Sequence, residues 1–197
     1  MVAEIQNNHA DGGQQTLEPR KTMTEEQMMK HLLEANEVSV DVMKNFGRHP
    51  FGAVLVGPDC ETVLMRQGNV DVVNHAESTL CRTAYTKYSP EYLKECTLVT
   101  TVEPCAMCAG TMYWANIGRC VYAISEQTLL KMTGDDNSSE NPTMNLPCRA
   151  IFESGQKPFI EVFGPIDCKG DGDNNNRRRG VVEKILEPHR EMWSKEN

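Results

Sequence analysis

The chain has 197 residues, 39% hydrophobic and 24% charged, the composition of an ordinary water-soluble protein with one full-sized core. A net charge of −8 argues against a grip on a nucleic-acid backbone and favours a small diffusible substrate: its one basic cluster, Arg177-Arg178-Arg179, sits beside an Asp/Asn run. No stretch has the length and apolarity of a membrane span, and residues 1–20 lack the apolar core of a secretory signal, so a cytoplasmic location is expected.

Residues 1–22 are polar, contain Gly12-Gly13 and read as a disordered arm, which leaves 23–197 as a single domain with its core at about 24–165. Thr24-Glu25-Glu26-Gln27 fits a capping box. Met28, Met29, Leu32, Leu33, Val40 and Met43 then recur at helical spacing, predicting a helix over 24–46 that stops before Gly47. Phe51 to Val56 is a short apolar run, Gly57-Pro58-Asp59 a turn and Thr62 to Met65 a second strand, together a hairpin. His75 to Tyr88 reads as a helix and Thr97 to Val102 as a buried strand. Pro104 suits the first turn of a helix over 105–117. Arg119 to Ile124 follows as a strand and Glu126 to Met132 as a short helix.

Residues 133–147 are rich in Gly, Asp, Asn, Ser and Pro and read as a loop. Cys148 to Glu153 fits a helical turn, and Phe159 to Phe163 a final strand. Residues 167–180 are low in complexity and expected to be mobile. Their likeness to a calcium loop fails, because Lys169 occupies a ligand position and Arg178 stands where the closing Glu belongs. Val181, Val182, Ile185, Met192 and Trp193 predict a C-terminal helix that Pro188 kinks or interrupts. Strands alternating with helices define a layered α/β domain.

The chemistry concentrates in His75-Ala76-Glu77 and Pro104-Cys105-Ala106-Met107-Cys108. Cys105 and Cys108, one helical turn apart at a helix start, present both sulfurs to one ion, and the helix N-terminus favours the thiolate that binds metal. With His75 they form a Cys₂His set for one zinc ion that leaves a coordination position open, where bound water acquires a pKa of about 7. Glu77 is then free to take a proton from that water and return it as general acid. A redox Cys-x-x-Cys pair would leave His-Ala-Glu unexplained, and a structural zinc ribbon wants a second Cys-x-x-Cys. Cys60, Cys81, Cys96, Cys120, Cys148 and Cys168 read as reduced core or surface thiols.

These residues resemble the cytidine deaminase-like superfamily, whose signature is H-x-E…P-C-x-x-C. The resemblance runs from Pro50 to Ile124 and includes Pro50-Phe51-Gly52-Ala53-Val54, Asn74-His75-Ala76-Glu77 and Thr101 to Gly110. It implies a three-layer α/β/α fold around a five-stranded mixed sheet, assembled as a homodimer. It also implies one zinc per chain on His75, Cys105 and Cys108, with Glu77 as proton shuttle. The implied reaction is hydrolytic: activated water displaces an amine from a ring carbon and ammonia leaves. Glu103 to Gly110 look most like the purine-acting branch, which holds guanine deaminases and tRNA adenosine deaminases, and Tyr113-Trp114-Ala115 and Pro50-Phe51-Gly52 look more like the former. Fungal-type cytosine deaminases usually carry Ser where Glu103 stands and Gly where Ala76 stands. A free purine-type nucleobase or nucleoside, guanine first, is therefore the implied substrate, with tRNA adenosine or cytosine/cytidine as alternatives.

Phe51, Asn69, Ala76 and Trp114 are the candidates for substrate contact. Phe51 either covers one face of a flat base or is a core aromatic. Asn69 aligns with an Asn that hydrogen-bonds substrate in family members, or is a turn residue in Gly68-Asn69. Asn74 competes for the same role, against a helix N-cap. Trp114 falls on the side of its helix opposite Cys105 and reads as a packing or dimer-contact residue that at most completes a neighbour's pocket. His31, His49 and His189 have no partners at ligand spacing and read as surface or packing residues.

Overall fold

The apolar stripe of residues 25–46 folds as α1 (Glu25–Phe46), opened by the capping box. Thr24 Oγ1 accepts from the Gln27 N–H at 3.3 Å and Gln27 Oε1 from the Thr24 N–H at 2.8 Å. Gly47 closes the helix at φ 64°, a conformation only glycine adopts without strain. The computed structural model describes residues 21–133, 143–156, 160–166 and 173–194. After α1 come β1 (Gly52–Val56), β2 (Val63–Gly68), α2 (Ala76–Lys87), α3 (Pro90–Glu95), β3 (Thr97–Val102) and α4 (Ala106–Trp114). Then follow β4 (Arg119–Ile124), α5 (Glu126–Thr133), α6 (Cys148–Glu153), β5 (Glu161–Phe163) and α7 (Asp173–Ser194).

The five strands form one mixed sheet in the order β2-β1-β3-β4-β5. β1 pairs antiparallel with β2 and β3, while β3–β4 and β4–β5 are parallel. β1, β3 and β4 are buried on both faces, which is why they read as unbroken apolar runs rather than alternating ones. Alternate residues feed two cores. Val54, Val56, Val99, Val121 and Ala123 pack beneath α1, α5 and α7, with Leu32, Leu129 and Ile185. Ala53, Leu55, Leu98, Cys120 and Tyr122 pack beneath α2, α3, α4 and α6, with Leu80, Leu93, Met112 and Phe152. The result is the three-layer α/β/α architecture, and each fully buried leucine of these layers contributes about 1.5–3 kcal/mol. α1 lies so close to β1 that a side chain at Gly52 would collide with the Ala35 carbonyl and stand 2.8 Å from the Ser39 nitrogen.

Several expectations are corrected. α3 was missed, although Ser89-Pro90 carries its signal: the Ser89 hydroxyl accepts from the Tyr92 N–H at 3.2 Å and Pro90 opens the first turn. α4 spans less than 105–117; Cys105 is its N-cap, so Pro104 precedes the helix instead of entering its first turn. Of the expected arm only residues 21 and 22 are described: Arg119, buried on β4, donates to the Lys21 carbonyl at 3.0 Å, and Met23 after them is buried; residues 1–20 lie outside the described residues.

The segment expected to be mobile over 167–180 is helical from Asp173 onward, because Arg178 forms a bidentate pair with Glu25 of α1, both bonds 2.8 Å. Residues 167–172, 134–142 and Phe159 lie outside the described residues, and 143–147 carry no helix or strand. α7 runs through Pro188 uninterrupted. Proline supplies no N–H to the Lys184 carbonyl one turn back, and the Asn36 side-chain amide donates to that carbonyl instead, at 3.2 Å. The seven cysteines of the described residues are all free thiols. No helix among the described residues is long and apolar enough to cross a membrane.

Candidate active site

β3 runs into Glu103-Pro104-Cys105, so the parallel strand delivers Cys105 and the N-terminus of α4 to its carboxyl end. α2 starts on the same side, with His75 as its N-cap. The short link between Asn69 and His75 is a tight turn organised by Asp71. Its Oδ1 accepts from the Val73 and Asn74 N–H groups at 2.8 and 2.7 Å, and its Oδ2 from the Asn74 side-chain amide at 2.9 Å. These bonds, the Asn74 side chain's first, hold the Asp71 carboxyl down at about 2. The turn presents the Val72 carbonyl to His75 Nε2 at 3.1 Å. That contact takes the ring proton on Nε2 and leaves Nδ1 as a lone pair facing the cysteines.

His75 Nδ1 lies 3.6 Å from Cys105 Sγ and 3.6 Å from Cys108 Sγ. Tetrahedral zinc, with bonds of about 2.0–2.1 Å to nitrogen and about 2.3 Å to sulfur, spaces those atoms by about 3.6 Å. The three donor atoms all fall within 4.8 Å of one another, so the residues present fit one zinc ion. Without metal, the Cys105 thiol is held down to about 4, first by a hydrogen bond from Cys108 and next by His75, while burial opposes. Cys108 is pushed up by that same bond to Cys105 and by burial. The pair shares a single proton and is half-way to the dithiolate that a metal requires.

Glu77 sits one residue into α2, 5% exposed, with Oε2 3.5 Å from Cys108 Sγ. Burial raises its pKa, and a hydrogen bond with Thr100 opposes that rise. Thr100 Oγ1 is 2.7 Å from Glu77 Oε1 and 3.2 Å from the Gly52 carbonyl oxygen. When the carboxyl is charged, the Thr100 hydroxyl donates to it. When the carboxyl holds a proton, it donates to Thr100, whose own hydrogen turns to Gly52. Both protonation states are satisfied, the requirement for a group that accepts and releases a proton. Thr100 escaped notice in the sequence because a β-branched residue inside TLVTTV looks like strand filler.

Beyond the carboxyl ends of β3 and β4 lies a cavity of about 330 Å³. Glu77, His75 and Cys105 line it, and so do Phe51 and Asn69. Asn69 is buried and its Oδ1 has no hydrogen-bond partner among the described residues. Asn74, its rival, is tied to Asp71. The other two candidates do not line the cavity. Ala76 is fully buried in the packing of the α2 face, and Trp114 is 74% exposed on the far side of α4, nine residues and therefore about half a turn out of phase with Cys105. His49, which the sequence reads as a surface or packing residue, lines the cavity, and its ring meets Trp193 at 5.0 Å. The ring of fully buried His189 meets Phe51 at 5.2 Å, tilted by 58°, so α7 backs this wall. Glu103 also lines the cavity, but its carboxylate is engaged: Oε1 accepts from the Cys148 N–H at 2.9 Å and Oε2 from the Glu126 N–H at 3.2 Å.

With this geometry in place, known proteins give the class. Residues 22–124 match the family described as the cytidine and deoxycytidylate deaminase zinc-binding region. The chain belongs to this cytidine deaminase-like family of zinc hydrolases acting on C–N bonds. It is 33% identical over 176 residues to a probable cytosine deaminase of Schizosaccharomyces pombe, covering 87% of this chain and 96% of that protein. It is 39% identical over 117 residues to a guanine deaminase of Bacillus subtilis, covering 57% and 71% of the two. The fold is shared with the guanine deaminase structure from Nitrosomonas europaea, at a TM-score of 0.57 and 20% identity over 87% of this chain and 88% of that one.

Proposed function

We propose that the protein hydrolytically deaminates a free purine-type nucleobase or nucleoside, guanine first, with Glu77 as the proton shuttle. The carrying observation is the placement of a buried carboxyl, served by Thr100 in both protonation states, beside the His75-Cys105-Cys108 group on the same cavity. Zinc held by those three residues supplies the Lewis acidity that makes water a nucleophile at neutral pH. Glu77 Oε1 is taken by Thr100, so Oε2 receives the proton from the attacking water. The same oxygen returns it to the departing amine, which leaves as ammonia. Phe51 covers a face of the base, and the unpartnered Asn69 Oδ1 accepts a ring N–H.

The purine preference is supported by Glu103 and Tyr113-Trp114 and by a cavity large enough for a bicyclic ring. The net charge of −8 weighs against a tRNA substrate. Cytosine is the second reading, supported by the likeness of 176 residues to the probable cytosine deaminase. The working unit is proposed to be a cytoplasmic homodimer, with Trp114, exposed in the single chain, among its contacts. An ammonia-release screen of zinc-loaded protein over guanine, adenine, cytosine and their nucleosides tests the substrate, with Glu77→Ala as blank. Release from guanine supports the first reading, release from cytosine alone moves the assignment to the second, and release from no base overturns both.

A further inference from the structure

Glu126 lines the same cavity and has no part in the proton transfer above. It is the first residue of α5, 6% exposed. Its backbone N–H is fixed by Glu103 Oε2, and Glu103 in turn is held by the Cys148 N–H, so the start of the Glu126 side chain is anchored at two removes. No described residue hydrogen-bonds or ion-pairs with its carboxyl. The ionisable groups that act on it are Cys105, Glu77 and Glu103, all acidic, with His75 alone opposing them. Burial, then these neighbours, push the group up to about 8; a carboxyl that holds its proton has an O–H to give as well as an oxygen that accepts. A buried carboxyl with no protein partner, on the wall of a ligand cavity, is complementary to something that the ligand brings.

We propose that Glu126 is a specificity-determining residue that pairs with the lactam edge of the bound base, the adjacent ring N–H and carbonyl. A carboxyl meets that edge with one acceptor and one donor. Guanine and cytosine both carry a lactam; adenine has none. Glu126 thereby favours an oxo-bearing base over adenine, whichever ring size the pocket prefers. The inference rests on the deaminase reading of the same cavity.

The test compares each base with its counterpart lacking the lactam, guanine with 2-aminopurine and cytosine with 4-aminopyrimidine. Competition constants are measured on zinc-loaded wild type, Glu126→Leu and Glu126→Gln. For Glu126→Leu the oxo-bearing base should bind about 10- to 100-fold more weakly, the lactam-free counterpart within about twofold of wild type. Glu126→Gln, whose amide also donates and accepts, should restore most of the difference. Glu126→Asp gives the same reading with less change in packing, because it withdraws the carboxyl by one methylene. Equal weakening of base and counterpart, with zinc content intact, would mean a structural role and overturn the proposal, as would an unchanged affinity for the oxo-bearing base. Wild type that neither binds nor deaminates any base overturns the deaminase reading and this inference with it; wild type that does both, with an unchanged ratio in Glu126→Leu, overturns this inference alone.

Discussion

Asn36 donates its side-chain amide to the carbonyl of Lys184 at 3.2 Å, the carbonyl left without a helical donor by Pro188. One hydrogen bond from α1 thus lets α7 continue to His189 and Trp193, whose rings pack against Phe51 and His49 on the cavity wall. Asn36→Ala is expected to lower stability by about 0.5–1.5 kcal/mol, the net worth of a hydrogen bond to this part-buried carbonyl. In a Pro188→Ala background, where the backbone N–H returns, the same substitution should cost less than half as much in urea denaturation. Equal costs in the two backgrounds would refute the compensation.

His189 links the same wall to pH. Burial first, and the neighbouring His49 second, hold its ring down at about 4, and neither ring nitrogen has a hydrogen-bond partner among the described residues. A histidine depressed in the folded state binds its proton more readily when unfolded. Its contribution is therefore complete above about pH 6.5 and is lost as pH falls from there toward 4. His189→Phe should flatten the fall in stability across that window, measured as the urea midpoint at pH 4.5 and pH 7. A wild-type midpoint that the substitution leaves equally pH-dependent would exclude His189 as the cause.

The cysteine pair makes its own prediction. Chelated protein should react with iodoacetamide at pH 6 at Cys105, held down to about 4 by Cys108 and His75, before the buried Cys81, Cys96 or Cys120. Zinc should protect Cys105, and peptide mass spectrometry with and without metal reads both outcomes. Removal of zinc should also lower the melting temperature, since metal binding to a folded site is folding free energy.

Thr100 tunes the shuttle. Its hydrogen bond opposes the burial that raises Glu77, so Thr100→Val should raise the Glu77 pKa further. The carboxylate is the form that accepts the water's proton, so the acid limb of kcat/KM should move to higher pH. An acid limb that stays in place, with activity merely scaled down, would leave Thr100 a packing residue.

The legible parts of this chain were those where a local rule and the tertiary structure agree. Thr24 to Gln27 form the capping box that their spacing predicts, and the buried runs at 52–56, 97–102 and 119–124 are the three central strands. His75, Cys105 and Cys108 could be grouped by residue type and spacing because metal chemistry leaves few alternatives. What escaped depends on partners distant in sequence. Residues 173–180 look like a mobile polar tract until Glu25 receives Arg178, and Pro188 looks like a helix breaker until Asn36 supplies the missing donor. His49 and Thr100 enter the site through the position of their strand ends and neighbours, which no local pattern records. Trp114 and Ala76 illustrate the reverse, since proximity in sequence to the metal-holding residues did not bring them to the cavity.

The central claim is that Glu77 moves the proton while His75, Cys105 and Cys108 hold the metal. The direct measurement is zinc content and ammonia release for Glu77→Gln beside wild type, on the base that wild type deaminates. Zinc should remain at one per chain while the rate falls by about 10²–10⁴-fold, the scale of lost general acid–base catalysis. A Glu77→Gln protein that keeps both its zinc and its rate would contradict the account.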